Sequence, residues 1–276
     1  MVSKTSLLFL FAIIGLGWCL QLSSDISPSY EQEQQQYSFL TKWGTTGISF
    51  GKFSQPLEIA IDLEGNVYVT DFTSVANKVQ KFTNNGTFIT SWGTLGFGNG
   101  RFSNPAGIDV DSSNSVYIAD FGSPDTAIQK FTNNGTFITS WGSTGLADGQ
   151  FINPGGLTVD SAGNIYVGDF GENNRVQKFD SNGNFITKWG TPGSGDGQFT
   201  NPAGIAVDRS GNVYIADRDN NRVQKFDSNG NFIIKWGSRG ANDGQLIDPT
   251  ALTVDSSGNI YVVDQGNSRI QVFGPS

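Results

Sequence analysis

Two landmarks recur along this chain with a single period. The pair Trp-Gly stands at Trp43, Trp92, Trp141, Trp189 and Trp236, and an Asp closing a Tyr-Val/Ile-x-Asp run stands at Asp71, Asp120, Asp169, Asp217 and Asp264. Both series advance by 49, 49, 48 and 47 residues, so one unit of that length is present five times. A unit that cannot bury its own apolar faces must stack on copies of itself, and this requirement constrains the fold more than any other feature of the sequence.

The fourth unit shows the internal pattern. A short apolar strand at Ala203 to Val207 is followed by a turn, a second strand at Val213 to Ala216, a loop, and a third strand at Arg222 to Phe226. Asn229-Gly230 then separates two alternating runs, the signal for a two-residue hairpin with positive φ, and the fourth strand runs from Phe232 to Trp236. The same Asn-Gly pair begins at Asn85, Asn134 and Asn182. Four antiparallel strands in about 48 residues is the period of a β-propeller blade. Thirty-six glycines and a single Met fit short strands joined by tight turns. The expected class is all-β, a propeller of five four-stranded blades.

The ends predict how the ring closes. The last copy stops after its third strand, at Arg269 to Phe273, while Phe39-Leu40-Thr41-Lys42-Trp43-Gly44 matches Phe185-Ile186-Thr187-Lys188-Trp189-Gly190. A strand at about 38–43 is therefore expected to pair with the last blade, about 250–273, and latch the termini together. Ahead of it, Lys4 precedes an apolar run at 7–22, so 1–22 reads as a signal peptide or a signal anchor. Residues 23–36 are polar and aperiodic, the composition of a disordered spacer, and 37–276 form the propeller. The expected location is secreted or cell-surface, with membrane contact only through an uncleaved N-terminal segment.

The residues resemble the NHL repeat family: Pro202-Ala203-Gly204-Ile205-Ala206-Val207-Asp208, then Gly211-Asn212-Val213-Tyr214-Ile215-Ala216-Asp217, then Asn221-Arg222-Val223-Gln224-Lys225-Phe226. The likeness runs from Phe39 to Phe273. NHL propellers commonly have six blades, and five is a departure from that form. The resemblance brings three classes of activity with it: recognition of partners, the zinc-dependent chemistry of a peptide-amidating lyase, and RNA binding by cytosolic members.

Composition separates them. The chain has no His, and Cys19 is its single Cys, so a His/Cys zinc site, a Ser-His-Asp triad and a Cys-His pair have no residues to build from beyond the leader. The remaining enzymatic alternative is a lyase- or hydrolase-like propeller working with carboxylates, with calcium as its candidate cofactor. A formal charge of −8 opposes a phosphate backbone, and no nucleic-acid partner is expected. The leading expectation is a non-enzymatic binding scaffold outside the cytoplasm, without a cofactor, whose partner is a protein, peptide or glycan.

In propellers one face collects the loops after the second strands and those before the first. Here it should gather Asp71, Asp120, Asp169, Asp217 and Asp264, with Arg175, Arg222 and Arg269 at equivalent places behind them. A residue repeated in every blade is most simply structural, and the Asp are expected to bond loop backbone or the following Arg. Departures from the repeat carry more information. Phe72, Phe121 and Phe170 follow the Asp in the first three blades, against Arg218 and Gln265 in the last two, and the loops behind them are longer. They form a candidate apolar site. Glu58, where other blades have Gly107, Gly156, Gly204 and Ala251, is a candidate cation ligand near the channel, a reading supported by glutamates of six-bladed calcium-dependent relatives. Asn85-Gly86-Thr87 and Asn134-Gly135-Thr136 are N-glycosylation sequons, with Asn85 and Asn134 the acceptors.

Overall fold

A computed structural model describes residues 41–72, 77–125 and 127–275. The expected leader and spacer, 1–36, lie outside the described residues. Blade one comprises β1 (Pro56–Ile61), β2 (Val67–Asp71), β3 (Lys78–Phe82) and β4 (Phe88–Trp92). Blade two comprises β5 (Pro105–Val110), β6 (Val116–Asp120), β7 (Ile128–Phe131) and β8 (Phe137–Trp141), and blade three β9 (Asn153–Val159), β10 (Ile165–Phe170), β11 (Arg175–Phe179) and β12 (Phe185–Trp189). Blade four follows with β13 (Pro202–Val207), β14 (Val213–Asp217), β15 (Arg222–Phe226) and β16 (Phe232–Trp236), and blade five with β17 (Pro249–Val254), β18 (Ile260–Asp264) and β19 (Arg269–Phe273). Each is a consecutive antiparallel meander, so the molecule is a five-bladed β-propeller. Among the described residues no helix is long and apolar enough to cross a membrane.

Turn chemistry sets the hairpins. Asp208 opens the turn between β13 and β14, its Oδ1 accepting from the backbone N–H of Ser210 and Asn212 and its Oδ2 from the Asn212 amide and the Tyr214 hydroxyl. Asp62, Asp111, Asp160 and Asp255 accept from the corresponding backbone amides and Tyr hydroxyl in their own blades. The Asn-Gly hairpins differ from the tight two-residue form expected. Five residues, 227–231, separate β15 from β16, Asp227 repeats the same carboxylate turn, and Gly230 alone has positive φ, +88°. One left-handed residue with a register shift at Phe226 is a glycine bulge, in which Asn229 has no need of positive φ.

Blades one to five pack face to face in chain order. Trp92 at the end of β4 lies 5.9 Å from Phe131 of blade two, and Trp141, Trp189 and Trp236 meet Phe179, Phe226 and Phe273 at the same separation. The hairpin glycines Gly135, Gly183 and Gly230 accept the incoming Trp: a Cβ on any of them would lie 2.6 Å from the indole. Lys81, Lys130, Lys178 and Lys225 lie 4.9–5.1 Å from the ring centroids of Tyr68, Tyr117, Tyr166 and Tyr214. The first three of these lysines also donate to a turn carbonyl of the following blade, at Asn133, Ser181 and Ser228.

The inner strands β1, β5, β9, β13 and β17, with Tyr261, Val263 and Ile270 of blade five, line a cavity of about 510 Å³ that reaches from the channel into the seam between the first and last blades. The seam between the first and last blades differs from the other four. Ile59 of β1 and Ile270 of β19 are each 58% exposed, whereas Ile108, at the place of Ile59, is 3% exposed, and Val79, at the place of Ile270, is fully buried. The fifth sheet has three strands among the described residues. Its expected fourth strand, 38–43, falls partly outside them, and 41–43 pair with no strand among the described residues. Trp43 nevertheless occupies the seat on blade one that its counterparts occupy elsewhere, 4.6 Å from Phe82 and against Gly86.

Two glycines separate the backbone cost from the packing cost. Gly135→Ala combines a φ of +87° with the clash against Trp92, and should destabilise by about 2–4 kcal/mol. Gly149→Ala, at φ +77° with nothing within 4 Å, should cost about 1–2 kcal/mol. Urea denaturation of the two variants reads the difference, and equal losses would remove the Trp contact as a packing constraint.

Candidate functional site

The loop face is organised around the five Asp that end the second strands, all fully buried. Asp71 Oδ1 accepts from the N–H of Ser54 and Gln55, Asp120 from Ser103 and Asn104, and Asp169 from Ile152 and Asn153, at 2.7–2.9 Å. Asp217 and Asp264 accept from Thr200 and Ile247. Each carboxylate therefore ties the end of a second strand to the loop that enters its own blade.

The cations behind them complete the tie. Arg222 and Arg269 approach Asp217 and Asp264 at 2.7 Å, Arg175 approaches Asp169 at 3.4 Å, and Lys78 takes the equivalent place beside Asp71 at 3.7 Å. Their remaining donors reach the connecting loops: Arg222 bonds the carbonyls of Ser194, Gly195 and Gln198, Arg175 those of Leu146, Ala147 and Gln150, and Lys78 those of Ile48 and Ser49. These groups hold the loops in place, and their polar atoms are engaged with backbone.

Blade two breaks the network. Ala127 stands where the others have Lys or Arg, so Asp120 has no cation beside it among the described residues. Burial pushes its carboxyl up from 3.8 to about 7, against the pull of the Asn104 and Ser103 amides.

Phe72, Phe121 and Phe170 are half-buried on this face. The structure brings two of them together: the rings of Phe121 and Phe170 stack 5.8 Å apart with planes 9° from parallel, and Phe170 also covers the backbone at Gly155. Phe72 donates its N–H to Gln55 O, next to residues 73–76, which lie outside the description. At the matching positions Arg218 lies beside Asp219, and Gln265 opens a one-turn 3₁₀ helix, Gln265–Asn267.

In the channel, Glu58 Oε2 accepts from Ile108 N–H at 3.2 Å, joining β1 to β5. Asp109, on β5, accepts from the Thr158 hydroxyl and the Val159 N–H of β9. Burial raises Glu58 to about 8, Asp109 adding to the rise, and burial raises Asp109 as well. A carboxyl that holds its proton at neutral pH is a poor ligand for a hard cation, and no cluster of three metal-ligating side chains occurs among the described residues. Sequence reading singled out Glu58 and missed Asp109. The signal was present, because Asp109 stands where Ala60, Thr158, Ala206 and Thr253 stand elsewhere.

The sequons lie on the opposite face in exposed hairpins. Asn85 Oδ1 accepts from the Thr87 hydroxyl at 3.0 Å, and Asn134 Oδ1 from that of Thr136 at 3.1 Å.

Comparison with known proteins agrees with this geometry. The NHL repeat model matches residues 151–179, 199–226 and 246–273, which fall in blades three, four and five. The chain is thus a β-propeller in which three of the five blades match the NHL repeat. Its fold is similar to a chain of the nidogen/laminin complex, at 19% identity over 80% of each chain with a TM-score of 0.55. It is also similar to a protein of unknown function from Bacteroides caccae, at 17% identity over 78% of this chain and 72% of that one with a TM-score of 0.58. At these identities the likeness is one of fold. No curated protein matches the sequence.

The unpaired carboxyl makes stability depend on pH. A folded-state value above the unfolded 3.8 means that the unfolded chain gives up this proton first, so Asp120 lowers stability as pH rises from about 4 to about 7. Asp120→Asn keeps an oxygen for the Ser103 and Asn104 amides and removes the titration. Relative to wild type it should gain stability over that interval, by up to about 4 kcal/mol. Urea midpoints at pH 4, 5, 6 and 7 test this, and a difference that stays constant with pH would refute it.

Proposed function

We propose that this protein is a non-enzymatic binding scaffold acting outside the cytoplasm, with the loop face of its propeller presented to a protein, peptide or glycan. The observation that carries this reading is the division of labour on the face. The repeated Asp are buried and, with their cations, engaged with loop backbone, whereas the feature that departs from the repeat is a half-exposed aromatic stack, Phe121 on Phe170. Charged groups so engaged set loop shape, and exposed rings offer contact area at small entropic cost. The extracytoplasmic part of the reading rests on Lys4 with the apolar run at 7–22 and on the two sequons.

The full chain immobilised and exposed to medium from its source cells should retain a partner. Replacing Phe72, Phe121 and Phe170 together by Ser should weaken that retention at least about tenfold with an unchanged melting temperature, as loss of an interface anchor does. Equal retention by the folded triple variant would sink the aromatic site, and a small molecule converted by the wild-type chain would favour the enzymatic alternative.

A further inference from the structure

The loops that enter the blades are built on one plan and hold very different side chains. Each is closed by a bridge, Thr46 to Phe53, Leu95 to Phe102, Thr144 to Phe151, Pro192 to Phe199 and Arg239 to Leu246, which fixes the equivalence of positions between blades. At the fourth and sixth loop positions blade one has Ile48 and Phe50, blade two Phe97 and Asn99, and blade three Leu146 and Asp148. Blades four and five have Ser194 and Asp196, and Ala241 and Asp243. The apolar residues are not tucked away: Ile48 is 58%, Phe50 73%, Leu95 47% and Phe97 60% exposed.

Charge changes along the same series. The eighth position is Lys52 in blade one and Arg101 in blade two, but Gln150, Gln198 and Gln245 in the others. The loops of blades one and two contain no acid, whereas each of the other three has an Asp at the sixth position. Asp148 and Asp196 are paired with Lys188 and Lys235 of the outer strands. Lys52 and Arg101 are exposed and make no ion pair among the described residues. On a chain of formal charge −8, two adjacent loops thus combine large exposed apolar side chains with an unpaired cation.

We propose that these two loops, 47–52 and 95–101, dock the propeller on a lipid bilayer bearing anionic headgroups. The proposal goes beyond the macromolecular partner assigned to Phe72, Phe121 and Phe170, and it adds a membrane contact to the one expected of the N-terminal segment. Three features favour a bilayer. The loops are held alike, Gln80 bonding Gly51 N and Lys52 O and Gln129 bonding Gly100 N and Arg101 O, as Gln177, Gln224 and Gln271 hold theirs, so neighbouring blades present their tips on the same backbone frame. A flat deformable surface can receive separated tips together, where a protein would need a hollow for each. The side chains do not line the channel cavity, and so offer protrusions to a partner. Apolar insertion beneath headgroups beside a Lys or Arg is the combination that binds an interface, and blades three to five lack it, having Gln at the eighth position and Asp at the sixth.

Sedimentation of the full chain with vesicles of phosphatidylcholine and phosphatidylglycerol (about 3:1) or of phosphatidylcholine alone tests the proposal, together with hydrogen exchange on the bound chain. The expected result is preference for the anionic vesicles, slowed exchange within 47–52 and 95–101, and at least about tenfold weaker binding by both Phe50→Ser/Phe97→Ser and Lys52→Glu/Arg101→Glu. Absence of vesicle binding overturns it. So does binding that leaves both loops unprotected, the outcome if 7–22 alone contacts lipid. A loss confined to the charge variant overturns insertion, because attraction without burial would account for it. All substituted side chains are exposed, and melting temperatures verify the fold. Partner capture through the three Phe is measured separately, so either reading can fail while the other stands.

Discussion

One contact repeated around the disc underlies the rest: the indole at the end of an outer strand laid on the third-strand Phe and the hairpin glycine of the next blade. A four-stranded sheet of this size has two apolar faces and no means of burying either alone. Trp92, Trp141, Trp189 and Trp236 close that gap from one side, while the lysines above Tyr68, Tyr117 and Tyr166 reach turn carbonyls of the following blade from within. The contact works only with a left-handed glycine in the hairpin, since any Cβ there would fall inside the indole. This couples a local backbone preference to a contact about 40 residues away in the chain.

Because every blade solves the same packing problem, the repeated residues are largely committed to it, and individuality is left to positions outside the repeat. Blades three to five are the most regular, and they are the ones the NHL repeat model matches. Blades one and two carry the departures: Glu58 and Asp109 in the channel, Ala127 behind Asp120, and apolar tips with Lys52 and Arg101 in the entering loops. The loss of a cation in blade two has a direct electrostatic consequence, since Asp120 keeps its loop amides but is left desolvated and holds its proton toward neutral pH. The aromatic stack spans the boundary between these regions, with Phe121 from blade two and Phe170 from blade three.

Strand positions were legible to within a residue in blade four, where the expected Ala203 to Val207 and Val213 to Ala216 are Pro202–Val207 and Val213–Asp217. Alternation and turn residues are local signals, and five copies average out their noise. The hairpins were read as tighter than they are, because Asn-Gly suggests a two-residue turn and the carboxylate box opened by Asp227 reveals itself only through its hydrogen bonds. Phe121 and Phe170 were legible as exceptions to the repeat. Their parallel stacking was not, because nothing in the spacing says how far one blade is turned against the next.

The sequence by itself determined the all-β class, the number of blades, the strand order and the positions where the repeat is broken, since each depends on periodicity and on short-range turn chemistry. Only the tertiary structure decided which of those positions meet and in what environment. Glu58 and Asp109, 51 residues apart, line one channel, where burial raises the pKa of both, while the five Asp of the loop face accept from backbone amides. Burial and electrostatics are properties of neighbours in space, and for residues on different blades those neighbours are set by how the sheets pack.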